Sequence, residues 1–205
     1  MILKTWTEIC SLELPYFDRE IPGNLVESFT QSAVLVLIRP GLSVNESEVL
    51  LTKRSQEVKH HKGEIAFPGG MRDPKDLDLK TTALREMQEE VGIAPTDVAL
   101  VSSLPPLVTL SSRFSITPFV AVAKMTTLKP TSDSPEIDSY FWVKLSQFGL
   151  PGVYSQEDFR SGAATFKTHV YSINGERVWG ATAFVLKNIL DRIDAINENG
   201  IKKSP

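Results

Sequence analysis

Residues 32–40, SAVLVLIRP, form an apolar run with almost no alternation, which predicts a strand buried on both faces. EVLLTKRS (48–55) follows a Gly/Ser/Asn turn region and reads as its neighbour in a sheet. HKGEIAFPGGMRDPKD (61–76) is punctuated by Gly63, Pro68, Gly69, Gly70 and Pro74, so loop is expected around a short extended EIAF. Then the period changes. Leu84, Met87 and Val91 recur at helical spacing with Ala83 beside them, which predicts an amphipathic helix over 78–91. Asp76 and Asp78 stand where an N-cap and a first-turn acid belong. Gly92, with Pro95 beyond it, stands where a left-handed C-cap belongs.

Further strands are expected at 97–103, 114–124, 138–143, 166–173 and 176–180. A helix over 181–196 closes the chain, with Phe184, Leu186, Ile189, Leu190, Ile193 and Ile196 packed on the sheet. The first thirty residues, interrupted by Pro15 and Pro22, read as helix fragments and loops. The expected fold class is α/β, a mixed β-sheet sandwiched between α-helices. Residues 1–30 form an N-terminal extension packed on the domain, 31–198 the domain, and 199–205 a frayed polar tail.

Composition narrows the picture. Of 205 residues 41% are hydrophobic, enough for a real core. The net charge of −3 gives no general attraction to nucleic acid or to an acidic membrane. A single cysteine, Cys10, excludes an internal disulfide and a thiolate zinc site, and reads as a packing residue. No apolar stretch approaches the roughly 20 residues of a membrane span. MILKTWTEICSLELP lacks the pattern of a secretory signal, so a cytoplasmic protein is expected.

The predicted helix carries an electrostatic oddity. Glu86, Glu89 and Glu90, at i, i+3 and i+4, share one face, and like charges so placed oppose a helix by roughly 0.2–0.5 kcal/mol per pair. Grouped carboxylates are the hard oxygen ligands that Mg²⁺ or Mn²⁺ prefers. Gly69 and Gly70, before the helix, let backbone approach an ion or phosphate closely. Arg85 is placed to pair with Glu89 or with a loop acid. Taken alone, such a run reads first as a solvated charged face and only second as a metal site. Arg54, Lys59, His60, His61 and Lys62 form a basic cluster that either docks phosphates or is a solvated loop. Trp142 and Trp179 read as core.

Gly70, an acidic segment and Arg85-Glu86-Met87-Gln88-Glu89-Glu90-Val91-Gly92-Ile93 together resemble the Nudix box. That signature runs Gly, five residues, Glu, seven residues, then Arg-Glu-apolar-x-Glu-Glu-x-Gly-apolar. The second half matches throughout. In the first half Asp76 replaces Glu, and eight residues rather than seven separate it from Arg85, which leaves the role of this first acid open. Upstream, LLTKRSQEVKHHKGEIAFPGG (50–70) is similar to the signature of the coenzyme A pyrophosphatase branch, with Lys59 in place of an internal Arg. Leu104-Pro105-Pro106 through Thr117-Pro118 and Trp179-Gly180-Ala181-Thr182-Ala183 also resemble that branch, whereas Ser112-Arg113-Phe114 replaces Ser-Gly-aromatic. The resemblance covers about residues 32–196.

The resemblance implies a Nudix fold and hydrolysis of a substituted diphosphate by water with Mg²⁺ or Mn²⁺. It further implies Glu86 and Glu90 as metal ligands, Glu89 as a further ligand or water-positioning group, and a carbonyl of Gly69 or Gly70 completing the shell. Arg85 would hold a carboxylate in place. Glu136 would be general base or additional ligand, or else an ordinary loop acid. Arg54, Lys59, Phe67 and Gly69 would bind substrate. The implied small-molecule substrate is coenzyme A, and acyl-CoA in addition. The alternatives are ADP-ribose, a dinucleotide or a nucleoside diphosphate sugar, or a non-catalytic nucleotide-binding module. A homodimer stays open.

Overall fold

A computed structural model describes residues 2–12, 28–58, 61–109, 112–131, 134–161 and 164–201. Its centre is β1 (Thr30–Arg39). Ala33, Leu35 and Leu37 enter one core cluster, while Val36 and Ile38 enter a second on the opposite face. That double burial is why the run shows no alternation.

The first cluster is covered by α2 (Leu79–Val91), through Ala83, Met87 and Val91. The second is covered by α1 (Ile2–Ser11) and α3 (Gly180–Ile201), through Trp6, Ile9, Leu186 and Ile189. Arg192 of α3 donates to the Cys10 carbonyl at 3.1 Å and ties the two helices together. Burial pushes the Cys10 thiol up to about 11, against the opposing charge of Arg192.

One edge of β1 pairs in parallel with β7 (Phe114–Ala123), from Thr30↔Phe114 to Ile38↔Val122. Its other edge is divided. β4 (Gly69–Met71) pairs with Ser32, Ala33 and Val34, whereas β2 (Glu48–Arg54) pairs with Ile38 and Arg39. β3 (Ile65–Ala66) and β8 (Ile137–Lys144) flank β2, and β5 (Val98–Ser103) and β6 (Leu107–Thr109) flank β7. These eight strands form a mixed sheet. A separate antiparallel sheet of β9 (Tyr154–Ser161), β10 (Ala164–Ile173) and β11 (Glu176–Trp179) adds Tyr171, Ile173 and Val178 to the second cluster. Asn174 and Gly175, both at positive φ, close the tight turn between β10 and β11.

The helix boundaries follow local chemistry. The Asp78 carboxylate accepts from the Thr81 N–H at 2.7 Å, and Gly92 sits at φ 66° with its N–H on the Gln88 carbonyl. Asp78 alone is therefore the N-cap; Asp76, expected to share that duty, is turned inward to another partner. The fragmentary N-terminus contains a full helix, α1. The closing helix runs to Ile201, past the expected end, and residues 202–205 lie outside the described set. Among the described residues no helix is long and apolar enough to cross a membrane.

Candidate active site

β4, which begins with Gly69 and Gly70, and α2 belong to one continuous stretch of chain, and they bring acids against backbone. Glu90 lies in the last turns of α2 under this stretch and is only 5% exposed. Its carboxylate accepts from the Gly69 N–H at 3.0 Å, and Arg54 Nη1 stands 3.7 Å away. Burial pushes the Glu90 carboxyl up to about 8; the Gly69 N–H and Arg54 oppose this, and the charges of Glu86 and Glu136 add to it. Glu86, half-buried, is raised for the same first reason, against the pull of Arg85. A Cβ at position 70 would lie 2.4 Å from Glu86 Oε1, so the close approach of this carboxylate to the loop requires glycine there.

Arg85 is the hub. Its Nε and Nη2 donate to the two Asp76 oxygens, each at 3.1 Å, a bidentate pair. Its Nη1 reaches Glu86 Oε1 at 2.9 Å and Glu89 Oε2 at 2.8 Å, and Nη2 also donates to the Met71 carbonyl at 3.1 Å. Asp76 is buried and accepts further from the Asp73 N–H at 3.0 Å and the Thr82 hydroxyl at 2.9 Å. The Arg85 hydrogen bonds, foremost among these contacts, hold its carboxyl at about 2 against the opposing effect of burial. The acid whose role was open thus has one: it anchors Arg85.

Glu136 comes from the loop before β8. The Ser55 N–H donates to its carbonyl at 2.8 Å, and its carboxylate, 61% exposed, lies 3.8 Å from Arg54 Nη2. Nothing in sequence spacing signals this convergence with α2.

The remaining expected residues fall elsewhere. Phe67 is 3% exposed and packs in the cluster beneath α1 and α3, so its ring faces the core and not a substrate. Lys59 and His60 lie outside the described residues. His61 pairs with Glu64 at 3.0 Å. His169 meets the Tyr154 hydroxyl at 2.9 Å in the second sheet. Trp142 lies under the Arg39 guanidinium, and Trp179 under that of Arg177. Arg113 is exposed at φ 57°, a conformation that favours the glycine it replaces.

Among the described residues no group of three or more His, Cys, Asp and Glu side chains is arranged to ligate an ion as it stands. The donor chemistry nevertheless fits a hard divalent cation. Glu86 and Glu90 each raise or receive the other's charge penalty, Glu136 adds to both, and the loop is stripped of a Cβ where Glu86 meets it.

An acidic helix face held by an arginine against a Gly-Gly strand, on a mixed sheet between helices, is the arrangement that the sequence resemblance implies. The NUDIX domain model matches residues 30–165, and the chain belongs to the Nudix hydrolase family. Among its relatives is the "Uncharacterized Nudix hydrolase NudL" of Pectobacterium atrosepticum, 34% identical over 84% of this chain and 88% of that one. The protein of the same designation from Yersinia enterocolitica is 31% identical over 84% and 86%. Of solved structures, the M. smegmatis Nudix hydrolase RenU aligns with a TM-score of 0.49 at 22% identity, over 58% of this chain and 73% of that one. The protein is a Nudix pyrophosphohydrolase acting on nucleoside diphosphate derivatives, and enzymes of this family use divalent metal ions.

Proposed function

We propose that the substrate is coenzyme A, cleaved at its diphosphate to 4′-phosphopantetheine and adenosine 3′,5′-bisphosphate, with acyl-CoA also accepted. One observation carries this reading. Arg54, from the upstream motif that resembles the coenzyme A branch, stands within 4 Å of Glu90 on the Nudix helix and of Glu136. The motif that suggests the substrate and the helix that suggests the chemistry therefore meet at one place.

In this reading Glu86 and Glu90 hold Mg²⁺ or Mn²⁺, with Glu89 and the Gly70 carbonyl available to complete the shell. A cation bound there would neutralise diphosphate oxygens and lower the pKa of the attacking water. Arg85 fixes the acids: anchored by Asp76, it keeps Glu86 and Glu89 on one side of the groove. Glu90 is committed to the Gly69 N–H, whereas Glu136 is open to solvent, which makes Glu136 the better acceptor for the water proton. The water oxygen forms a new bond to one phosphorus as its proton passes to Glu136, the bond from that phosphorus to the bridging oxygen breaks, and the other phosphate group leaves carrying the bridging oxygen. Arg54 and the backbone at Gly69 receive the substrate phosphates, with Lys59 in the same motif. A cytoplasmic enzyme with no nucleic-acid or membrane partner agrees with the composition.

A second reading, hydrolysis of ADP-ribose, a dinucleotide or a nucleoside diphosphate sugar, is favoured by Arg113, whose exposed cation replaces a glycine of the branch pattern. A substrate panel with Mg²⁺ and with Mn²⁺, scored by kcat/KM, separates the two. Coenzyme A should rank first, and Glu90→Gln should lower turnover by roughly a hundredfold or more with an unchanged fold. Coenzyme A ranked below nucleotide sugars would remove the branch reading and leave the family intact. Nucleotide binding without hydrolysis of any diphosphate would point to a regulatory module.

A further inference from the structure

We infer that Arg54 is an internal counter-ion that couples the binding of the divalent cation to the binding of substrate; the inference rests on the proposed metal role of Glu90. The backbone aims this side chain deliberately. Between Lys53 and Arg54 the pairing of β2 with β8 shifts register, so that Lys53 faces Ser139 but Arg54 faces Ile137. Such irregularities turn a side chain away from its regular direction. The Arg54 N–H donates to the Glu64 carbonyl at 3.0 Å and its carbonyl accepts from the Gly63 N–H at 3.1 Å, so its stem is fixed.

The guanidinium then spans two carboxylates from different parts of the chain: Glu90 at 3.7 Å and Glu136 at 3.8 Å. Both separations exceed hydrogen-bonding range, so the contacts are held by charge and lack the directional grip of the bidentate Arg85–Asp76 pair. Arg54 Nε is buried and has no hydrogen-bond partner among the described residues. A donor left unsatisfied beside two loosely held carboxylates is poised to exchange them for a better acceptor. A phosphate oxygen is that acceptor, since it accepts from two guanidinium nitrogens at once.

The competition has a definite sign. A divalent ion held by Glu86 and Glu90 would be repelled by Arg54, 3.7 Å from Glu90, through its two charges, whereas Arg54 stabilises an ionised carboxylate through only one. Arg54 therefore weakens the cation's hold on the substrate-free protein. When a substrate phosphate draws the guanidinium away, the penalty disappears. Cation and substrate then strengthen each other's binding, and reciprocity makes the effect equal in both directions.

The test is a Mn²⁺ titration by calorimetry or by the electron paramagnetic resonance of free Mn²⁺, with no substrate present. Arg54→Met should bind Mn²⁺ roughly fivefold more tightly than the native protein, the effect being limited by solvent screening at a partly exposed site. Its KM for the diphosphate substrate at saturating Mn²⁺ should rise. Arg54→Lys, which keeps the charge, should bind Mn²⁺ much as the native protein does. Arg54→Gln removes the charge while keeping a polar side chain, and takes the place of Arg54→Met should the latter not fold. Unchanged or weaker Mn²⁺ binding in the uncharged variants overturns the inference, as does Arg54→Lys tightening to the same degree. Because this readout involves no hydrolysis, it stands apart from the choice of substrate: tighter Mn²⁺ binding with no cleavage of coenzyme A would sink only the substrate reading.

Discussion

At the scale of single residues, the site depends on an acid that touches no substrate. Asp76 holds Arg85 through two hydrogen bonds, and Arg85 in turn holds Glu86 and Glu89. Because the folded carboxyl sits near 2 and an unfolded aspartate near 3.8, this group stabilises the fold fully above about pH 4. That contribution is lost as pH falls toward about 2. Asp76→Asn should therefore lower stability at neutral pH by roughly 1–2 kcal/mol and flatten the decline between about pH 4 and pH 2, read by urea unfolding across pH. Activity should fall as well, because Arg85 loses its anchor while keeping its charge.

At the scale of elements, two adjacent glycines of β4 do different work. A Cβ at Gly69 would lie 2.4 Å from the Ala33 carbonyl and 2.7 Å from Val34 Cα, rigid backbone of β1. One at Gly70 meets only the end of the Glu86 side chain, which can swing away. Gly69→Ala should lower the melting temperature by several degrees, on the order of a 1–3 kcal/mol overpacking cost. Gly70→Ala should melt nearly as the native protein does and lose most of its turnover. Calorimetry and kcat on the same two preparations check the contrast. The sequence showed where α2 begins and ends, because its stripe of Leu84, Met87 and Val91, its Asp78 cap and its Gly92 stop are local signals. It did not show that Glu90 is buried, because the covering groups, Gly69 and Arg54, come from outside the helix. Ile65 and Phe67 stand two apart, the period that puts both on one side of an extended segment, and this would have assigned Phe67 to the core. β9, YSQEDFRS, was invisible because it is a polar strand paired only with β10.

At the scale of the whole molecule, the sheet separates chemistry from stability. α2 and the acids lie on one side, and α1 with α3 lies on the other. Trp6 of α1 is fully buried, and its indole N–H has no partner among the described residues. Trp6→Ala should cost about 3 kcal/mol, the low end for a buried tryptophan because the unpaired N–H is removed with the ring. Well below the lowered transition, kcat should stay near the native value, a pairing of denaturation curve and assay that checks the division of labour.

The parallel alignment of β1 with β7 places Val36 beside Val120, residues more than eighty positions apart in the chain. Closing so long a loop costs entropy before any contact repays it, whereas the β9–β10 ribbon zips from neighbouring residues. A polypeptide leaving the ribosome N-terminus first thus carries the whole acidic helix into solution before the strand that completes its platform has been synthesised. Until then the helix has only the N-terminal strands β1 to β4 to lie on, and the catalytic half of the protein cannot mature ahead of the rest.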